Sequence, residues 1–331
     1  MSQRVLLQAA SAVVIVVTGV VFVSSFTAPA TEVLDHHNYR VAIEGIREGQ
    51  GYYPSYDIGF REVYGPIPAA RDVRFPTLYM ALSWTPEGSE HVAFAIMAVI
   101  SGLVTAALAK APPTGAVVTL YLLTLAVADN GSAQFLYAEL WLVPLVIGAV
   151  LALDRGHDLV ALGLAALAFA VREQGILLLG GIATHMWVSH RHRRFAAGAL
   201  IAAVAGYAIH VSAVRPFLDP ENGVHTPLHL GWGPVDSFLR TLGFGLDMPW
   251  LGVLFLLGAV VWSYRHRLML AIGPFLAMPL VTLWANRPYW GVMVVPLAIV
   301  LTIDSIWEAF FEREQSPAQP SIAPASQTGA T

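Results

Sequence analysis

The chain has no cysteine, a single lysine and little charge of either sign. Without cysteine there are no disulfides, no thiolate metal sites and no cysteine nucleophile, although the absence does not indicate a compartment. Among the 18 basic residues Lys110 is the only lysine, a bias that carries no functional weight by itself. Charged residues make up 12% of the sequence, against roughly a quarter in soluble domains. The net charge of −4, with no basic run interleaved with aromatics, excludes general affinity for nucleic acid. What fills the space is apolar: 56% of the 331 residues are hydrophobic, the composition of an integral membrane protein.

Val5 to Phe26 is long enough to cross a bilayer and has only Arg4 ahead of it. Ala28-Pro29-Ala30 loosely matches a cleavage site, but the apolar core is long for a signal peptide and proline falls within the would-be site, so a retained helix is expected. Residues 27–90 then form a large polar loop. Inside it, Val41, Ala42, Ile43 and Ile46 at near-helical spacing predict a short interfacial helix over Tyr39 to Glu48, stopped by Gly49-Gln50-Gly51. Tyr52 through Pro68, rich in Gly, Pro and Tyr, is expected to be irregular. Leu78 to Trp84 is apolar but too short to span. A loop of this length more often carries function than merely connects.

Further apolar spans fall near 91–109, 115–129, 133–153, 159–171, 176–188, 195–214, 249–264, 268–284 and 289–304. The connectors at Lys110-Ala111-Pro112-Pro113, Asp154-Arg155-Gly156-His157, His190 to Arg194 and Tyr264 to Arg267 are short and mostly basic. The positive-inside rule therefore predicts an all-α bundle of about ten transmembrane helices with both termini cytoplasmic. Residues 27–90, Asp129-Asn130-Gly131, Arg172 to Gly175, 215–248 and Asn286-Arg287-Pro288 then lie outside. Keeping the His190 to Arg194 cluster inside requires two short helices meeting at Arg172. Spans this short must end in a protein-lined, wet cavity. The expected organisation is one polytopic domain over 1–312 and a disordered tail over 313–331.

The chemistry must come from polar groups on the outer side. Arg172 and Glu173 lie between two apolar runs, where ionisable residues are costly and function is the default hypothesis; an internal ion pair or an exposed turn is the plain alternative. Asp35, alone, reads as a solvated helix end or cap. His36 and His37 are adjacent, without the i, i+4 geometry of a helical metal pair, so a divalent metal is allowed but unsupported. Tyr52, Tyr53, Tyr56 and Tyr64, taken one by one, read as an interfacial aromatic belt.

Asp35-His36-His37-Asn38-Tyr39-Arg40, then Gly49-Gln50-Gly51-Tyr52-Tyr53, then Arg74-Phe75-Pro76-Thr77-Leu78-Tyr79 form a series. It resembles the GT-C superfamily of polyprenyl-phosphate-dependent integral membrane glycosyltransferases. The third stretch is similar to the Tyr-Pro-Pro-Leu step of bacterial lipid-linked mannosyltransferases, with Thr77 in place of the second proline. Arg172-Glu173-Gln174-Gly175 looks like the basic-residue-plus-glycine step of many relatives. The likeness covers about the first 190 residues. It implies a sugar transferred with inversion from a polyprenyl-phosphate donor to a hydroxyl of a lipid or glycan acceptor, on the extracytoplasmic side of a bacterial-type inner membrane. Asp35 would be the base, and Arg172, with Arg74, Arg215 and Arg287 as further candidates, would bind donor phosphate. His36, His37, Tyr39, Tyr52, Tyr53 and Glu173 would contact acceptor or sugar; His225, His229, Trp232 and Trp250 offer stacking surfaces for an acceptor sugar or, equally, core and interface positions. A transporter or flippase, for which matched broken repeats would be expected, and a non-catalytic assembly protein are the competing classes.

Overall fold

The computed structural model describes residues 3–25, 34–126, 136–219, 249–278 and 291–312. Those residues are almost entirely helical, with one isolated bridge between Ile67 and Leu218. α1 is Gln3–Ser25, α2 Leu34–Arg47, α3 Tyr52–Tyr64, α4 Thr77–Ser83 and α5 Glu90–Leu108. They are followed by α6 Thr114–Leu125, α7 Ala138–Asp154, α8 Asp158–Val171, α9 Gly175–Val188 and α10 Arg193–Val214. α11 is Pro249–Arg265, α12 Met269–Leu276 and α13 Gly291–Trp307. Within the described residues the predicted apolar spans appear as helices, the 268–284 span only as Met269–Leu276; residues 127–129, 133–135, 279–284 and 289–290 of these spans lie outside the described residues. The 313–331 tail and most of 215–248 lie outside the described residues.

Two expectations for the first loop are corrected. The interfacial helix begins at Leu34 rather than Tyr39, so Asp35 sits in its first turn. Tyr52 to Tyr64, expected to be irregular, is the helix α3. Pro54 is tolerated because it falls in the first turn, where backbone N–H groups have no helical acceptor in any case. Gly59 lets α3 approach α2 closely: a Cβ there would stand 2.7 Å from Asn38 Cα.

Four helices, Arg4–Ser24, Glu90–Leu108, Arg193–Phe217 and Met293–Phe310, are long and apolar enough to cross a membrane. Shorter apolar helices include Thr114–Leu125, Asp158–Val171, Gly175–Val188 and Trp250–Arg265. Apolar side chains point outward on the long ones: Val13 and Val20 of α1 and Ile201, Val204 and Ile209 of α10 are each at least 60% exposed. That is the pattern of a surface solvated by lipid rather than water. α7 is the opposite case, buried along Leu142, Val143, Val146, Ile147 and Val150. It packs on α5, α8 and α13 and forms the centre of the bundle. α5 and α6 meet through Gly102 and Gly115, where an added Cβ would press on the facing helix backbone. Small residues of this kind let helices associate where lipid gives no hydrophobic drive.

The helices also define two ends. The 19 residues of α5 span roughly 28 Å, with Glu90 bound to Arg47 of α2 at one end and the Leu108 carbonyl bound by Arg155 at the other. The basic connectors meet at the Leu108 end: His266 Nδ1 lies 2.6 Å from Asp154, Arg191 3.3 Å from Asp158, and Lys110 Nζ 2.5 Å from Glu308. The Lys110 and Ala111 backbone N–H groups donate to Asp304. The opposite end carries α2, α3, α4 and the junction of α8 with α9.

Four helices end in the same turn, in which one N–H reaches back five residues and the N–H before it reaches back three. Gln50 bonds to Gly45, His157 to Ala152, Arg191 to Met186 and Leu268 to Ser263. The residue before each donor is left-handed: Gly49 (φ 83°), Gly156 (φ 77°), His190 (φ 60°) and Arg267 (φ 58°). Glycine adopts that conformation freely, whereas an L residue incurs a cost of about 1 kcal/mol.

Candidate functional site

The site grows from the break at Arg172. α8 stops at Val171, Arg172 is extended (φ −151°, ψ 131°), and α9 resumes at Gly175. This is the pair of short helices the charge distribution requires. Gly175 is packed so closely on the α8 backbone at Ala168 and Phe169 that no Cβ fits. The turn directs the Arg172 side chain inward, where it is 1% exposed. Its Nη2 lies 2.8 Å from Glu139 Oε1, and Nη1 lies 2.8 Å from Glu173 Oε1, off the hydrogen-bonding axis. Glu139, in the first turn of α7, is buried, whereas Glu173 is partly open. Two carboxylates beside one guanidinium compensate the charge of a buried cation that would otherwise be prohibitive.

A second arginine is held by its backbone. Residues 73–76 connect the turn Ala70–Asp72 to α4 outside any regular helix. Three successive carbonyls are instead bound by side chains. Tyr56 O–H donates to Asp72 (2.8 Å), His210 Nε2 bonds to Val73 (3.2 Å) and Tyr52 O–H donates to Arg74 (2.9 Å). The Val73 carbonyl can only accept, so His210 Nε2 carries the proton, and Nδ1 is left to accept from Tyr53 O–H at 3.0 Å. Phe75 packs on the same imidazole at 4.5 Å. Arg74 is therefore fixed at its Cα by α3 and α10.

Around the arginines lies a stack of phenols. Tyr79 sits between Tyr39 and Tyr52, nearly parallel to both (13° and 8°), with centroids at 4.9 and 5.8 Å. Tyr39, Tyr52, Tyr56 and Tyr79 are all buried. The belt reading thus fails for Tyr52 and Tyr56, and fits Tyr64, which is 47% exposed. Burial, with the neighbouring phenols adding to it, pushes Tyr52, Tyr56 and Tyr79 well above the usual phenol range, so they stay neutral donors. Burial works against the charge on Arg74, but Tyr39, Glu139 and Glu173 outweigh it and hold its pKa up.

Other expected residues divide. Asp35 lies in the first turn of α2, and its side chain is outside the described residues. His36 is buried against Tyr137, with ring centroids at 4.9 Å. His37 faces outward, with Nε2 2.6 Å from Glu62 of α3. Tyr39, Tyr52, Tyr53, Arg74, Arg172 and Glu173 come together at this end, whereas Arg215 is exposed on the turn after α10 and is not joined to the cluster by any described contact. Trp250 is exposed on α11. Arg287, His225, His229 and Trp232 lie outside the described residues. Among the described residues no three His, Asp or Glu side chains converge as a metal would require.

Sequence reasoning missed Glu139, Tyr79 and His210. Glu139 carried a signal, a carboxylate inside the apolar span predicted over 133–153, but its partner is 33 positions away by sequence number. Family models, curated proteins and solved structures yield no match to this chain.

Proposed function

We propose that this protein is an integral membrane glycosyltransferase of the GT-C kind. In this reading it moves a sugar from a polyprenyl-phosphate donor to a hydroxyl of a lipid or glycan acceptor at the extracytoplasmic surface. The supporting observation is that the helix with Asp35 in its first turn and the junction carrying Arg172 share one end of the bundle. His36, next to Asp35, packs on Tyr137, two residues before the Glu139 that holds Arg172.

Asp35 takes the proton from the acceptor hydroxyl. The acceptor oxygen bonds to the anomeric carbon from the face opposite the phosphate. The carbon–oxygen bond to phosphate breaks, and polyprenyl phosphate leaves with the electron pair. Direct displacement inverts the anomeric centre, so no carboxylate nucleophile is needed. Arg74, less deeply buried than Arg172, is assigned to the leaving phosphate, which its planar fork of donors suits. Arg172, committed to Glu139 and Glu173, is assigned to fixing the floor behind it.

Asp35→Asn should abolish transfer from a polyprenyl-phosphate sugar in a membrane assay while the purified protein keeps its thermal stability. Wild-type turnover in that variant would remove Asp35 from the mechanism. The internal charge balance of Arg172 with two glutamates also suits a non-catalytic assembly protein, for which no donor in a panel of polyprenyl-phosphate hexoses and pentoses would be consumed.

A further inference from the structure

The end of the bundle opposite the candidate site has its charges sorted by depth. Its carboxylates are turned inward: Asp158, Asp304 and Glu308 are each less than 10% exposed, and Asp154 is covered by His266. Its arginines are turned outward. Arg191, Arg194, Arg265 and Arg267 are all exposed. The side chains of Arg194 and Arg267 have no hydrogen-bond or ion-pair partner among the described residues. Beside them stand large aromatic side chains that are also exposed, Trp187 at 52%, Phe195 at 61% and Tyr264 at 78%. Arg193 lies 5.3 Å above the Trp187 ring.

Local backbone preferences run against this arrangement. Three of the four matching helix-ending turns lie on this face, and only Gly156 supplies glycine at the left-handed position; the other two carry His190 and Arg267 there. Cations at a helix C-terminus gain from the helix dipole, which accounts for Arg265 in the last turn of α11 and for Arg267 just beyond it. Arg193 and Arg194 occupy the first turn of α10, where the dipole opposes them. A common cause has to lie outside the chain.

We infer that this face docks on the anionic phospholipid headgroups of one leaflet, with Arg194 and Arg267 meeting phosphate and Trp187, Phe195 and Tyr264 lying at headgroup depth. The buried carboxylates leave the surface field positive, and exposed aromatics beside exposed cations match the polarity step from headgroup to acyl chain. The inference requires only that the chain resides in a membrane and is independent of the transferase reading.

The test is competition between phosphatidylglycerol and phosphatidylcholine for the full-length protein in neutral detergent, read by native mass spectrometry. Wild-type protein should prefer phosphatidylglycerol, and each cation removed by R194Q or R267G should lower that preference about five-fold. R267G also relieves the left-handed strain, so its melting temperature in neutral detergent should not fall. R194Q, on an exposed side chain, supplies the readout should R267G fail to fold. R61Q, which removes a cation from the opposite end, should leave the preference unchanged. Unaltered preference in R194Q, an equal loss in R61Q, or full displacement of the lipid by millimolar inorganic phosphate would each overturn the inference.

Discussion

Arg172 Nη2 stands 2.8 Å from Glu139 Oε1, and neither side chain is more than 6% exposed. Removing one member of such a pair leaves a buried charge without compensation, at a cost of about 3–5 kcal/mol. Arg172→Ala should therefore lower the thermal midpoint in detergent sharply. Glu139→Gln should do less harm, because the amide still accepts. Replacing both partners together, as Arg172→Met with Glu139→Leu, should recover much of the loss. A double-mutant cycle by thermal unfolding measures this directly, and strictly additive losses would contradict a coupled pair.

Tyr56→Phe deletes the donor to the Asp72 carbonyl and should cost about 1–3 kcal/mol through the orphaned acceptor. Its functional effect should run through Arg74. In a transfer assay the variant should raise the donor KM, and the same change made on top of Arg74→Ala should raise it no further. An independent effect in the Arg74→Ala background would separate Tyr56 from the arginine.

Hydrogen bonding to Asp154 raises the His266 pKa, with the Asp154 and Glu308 charges assisting and burial and Lys110 opposing. The folded state thus favours the charged imidazole. Its contribution is complete below the ordinary histidine value near 6.5 and is lost as pH rises through the higher folded value. Thermal midpoints measured from about pH 5.5 to about pH 8.5 should fall across that window in wild type and fall less in His266→Gln. Parallel curves for the two proteins would exclude His266 as the group responsible.

Gly59→Ala would place a methyl 2.7 Å from Asn38 Cα, and the contact can open only by moving α2 away from α3. Overpacking of this kind costs about 1–3 kcal/mol. Because α2 carries Asp35 near its start, turnover should drop by more than the fraction unfolded explains. The check is specific activity of folded, size-selected protein.

Much of the architecture was legible because lipid imposes a simple rule. Long apolar runs had to become helices, and the His190 to Arg194 cluster required the helix break found at Arg172. The first loop was harder to read. Glycine, proline and tyrosine lower local helix propensity over Tyr52 to Tyr64, but Gly59 and Pro54 each occupy a position where packing or an unfilled N–H makes them welcome, and tertiary contact prevails. Glu139 and His210 were hidden for another reason. Their partners, Arg172 and Val73, are distant in sequence, and a lone polar residue in an apolar run does not reveal what it touches.

The grip on residues 72–74 acts on carbonyl oxygens, which every amino acid possesses. Position 74 is therefore held in space irrespective of its side chain, and the chemical character of the site can change there while its shape stays constant. Substitutions at 74 act as a chemical scan at fixed geometry: lysine keeps a point charge, glutamine keeps donors without charge, and histidine makes the charge depend on pH. The fold thereby separates where this functional group sits from what it is.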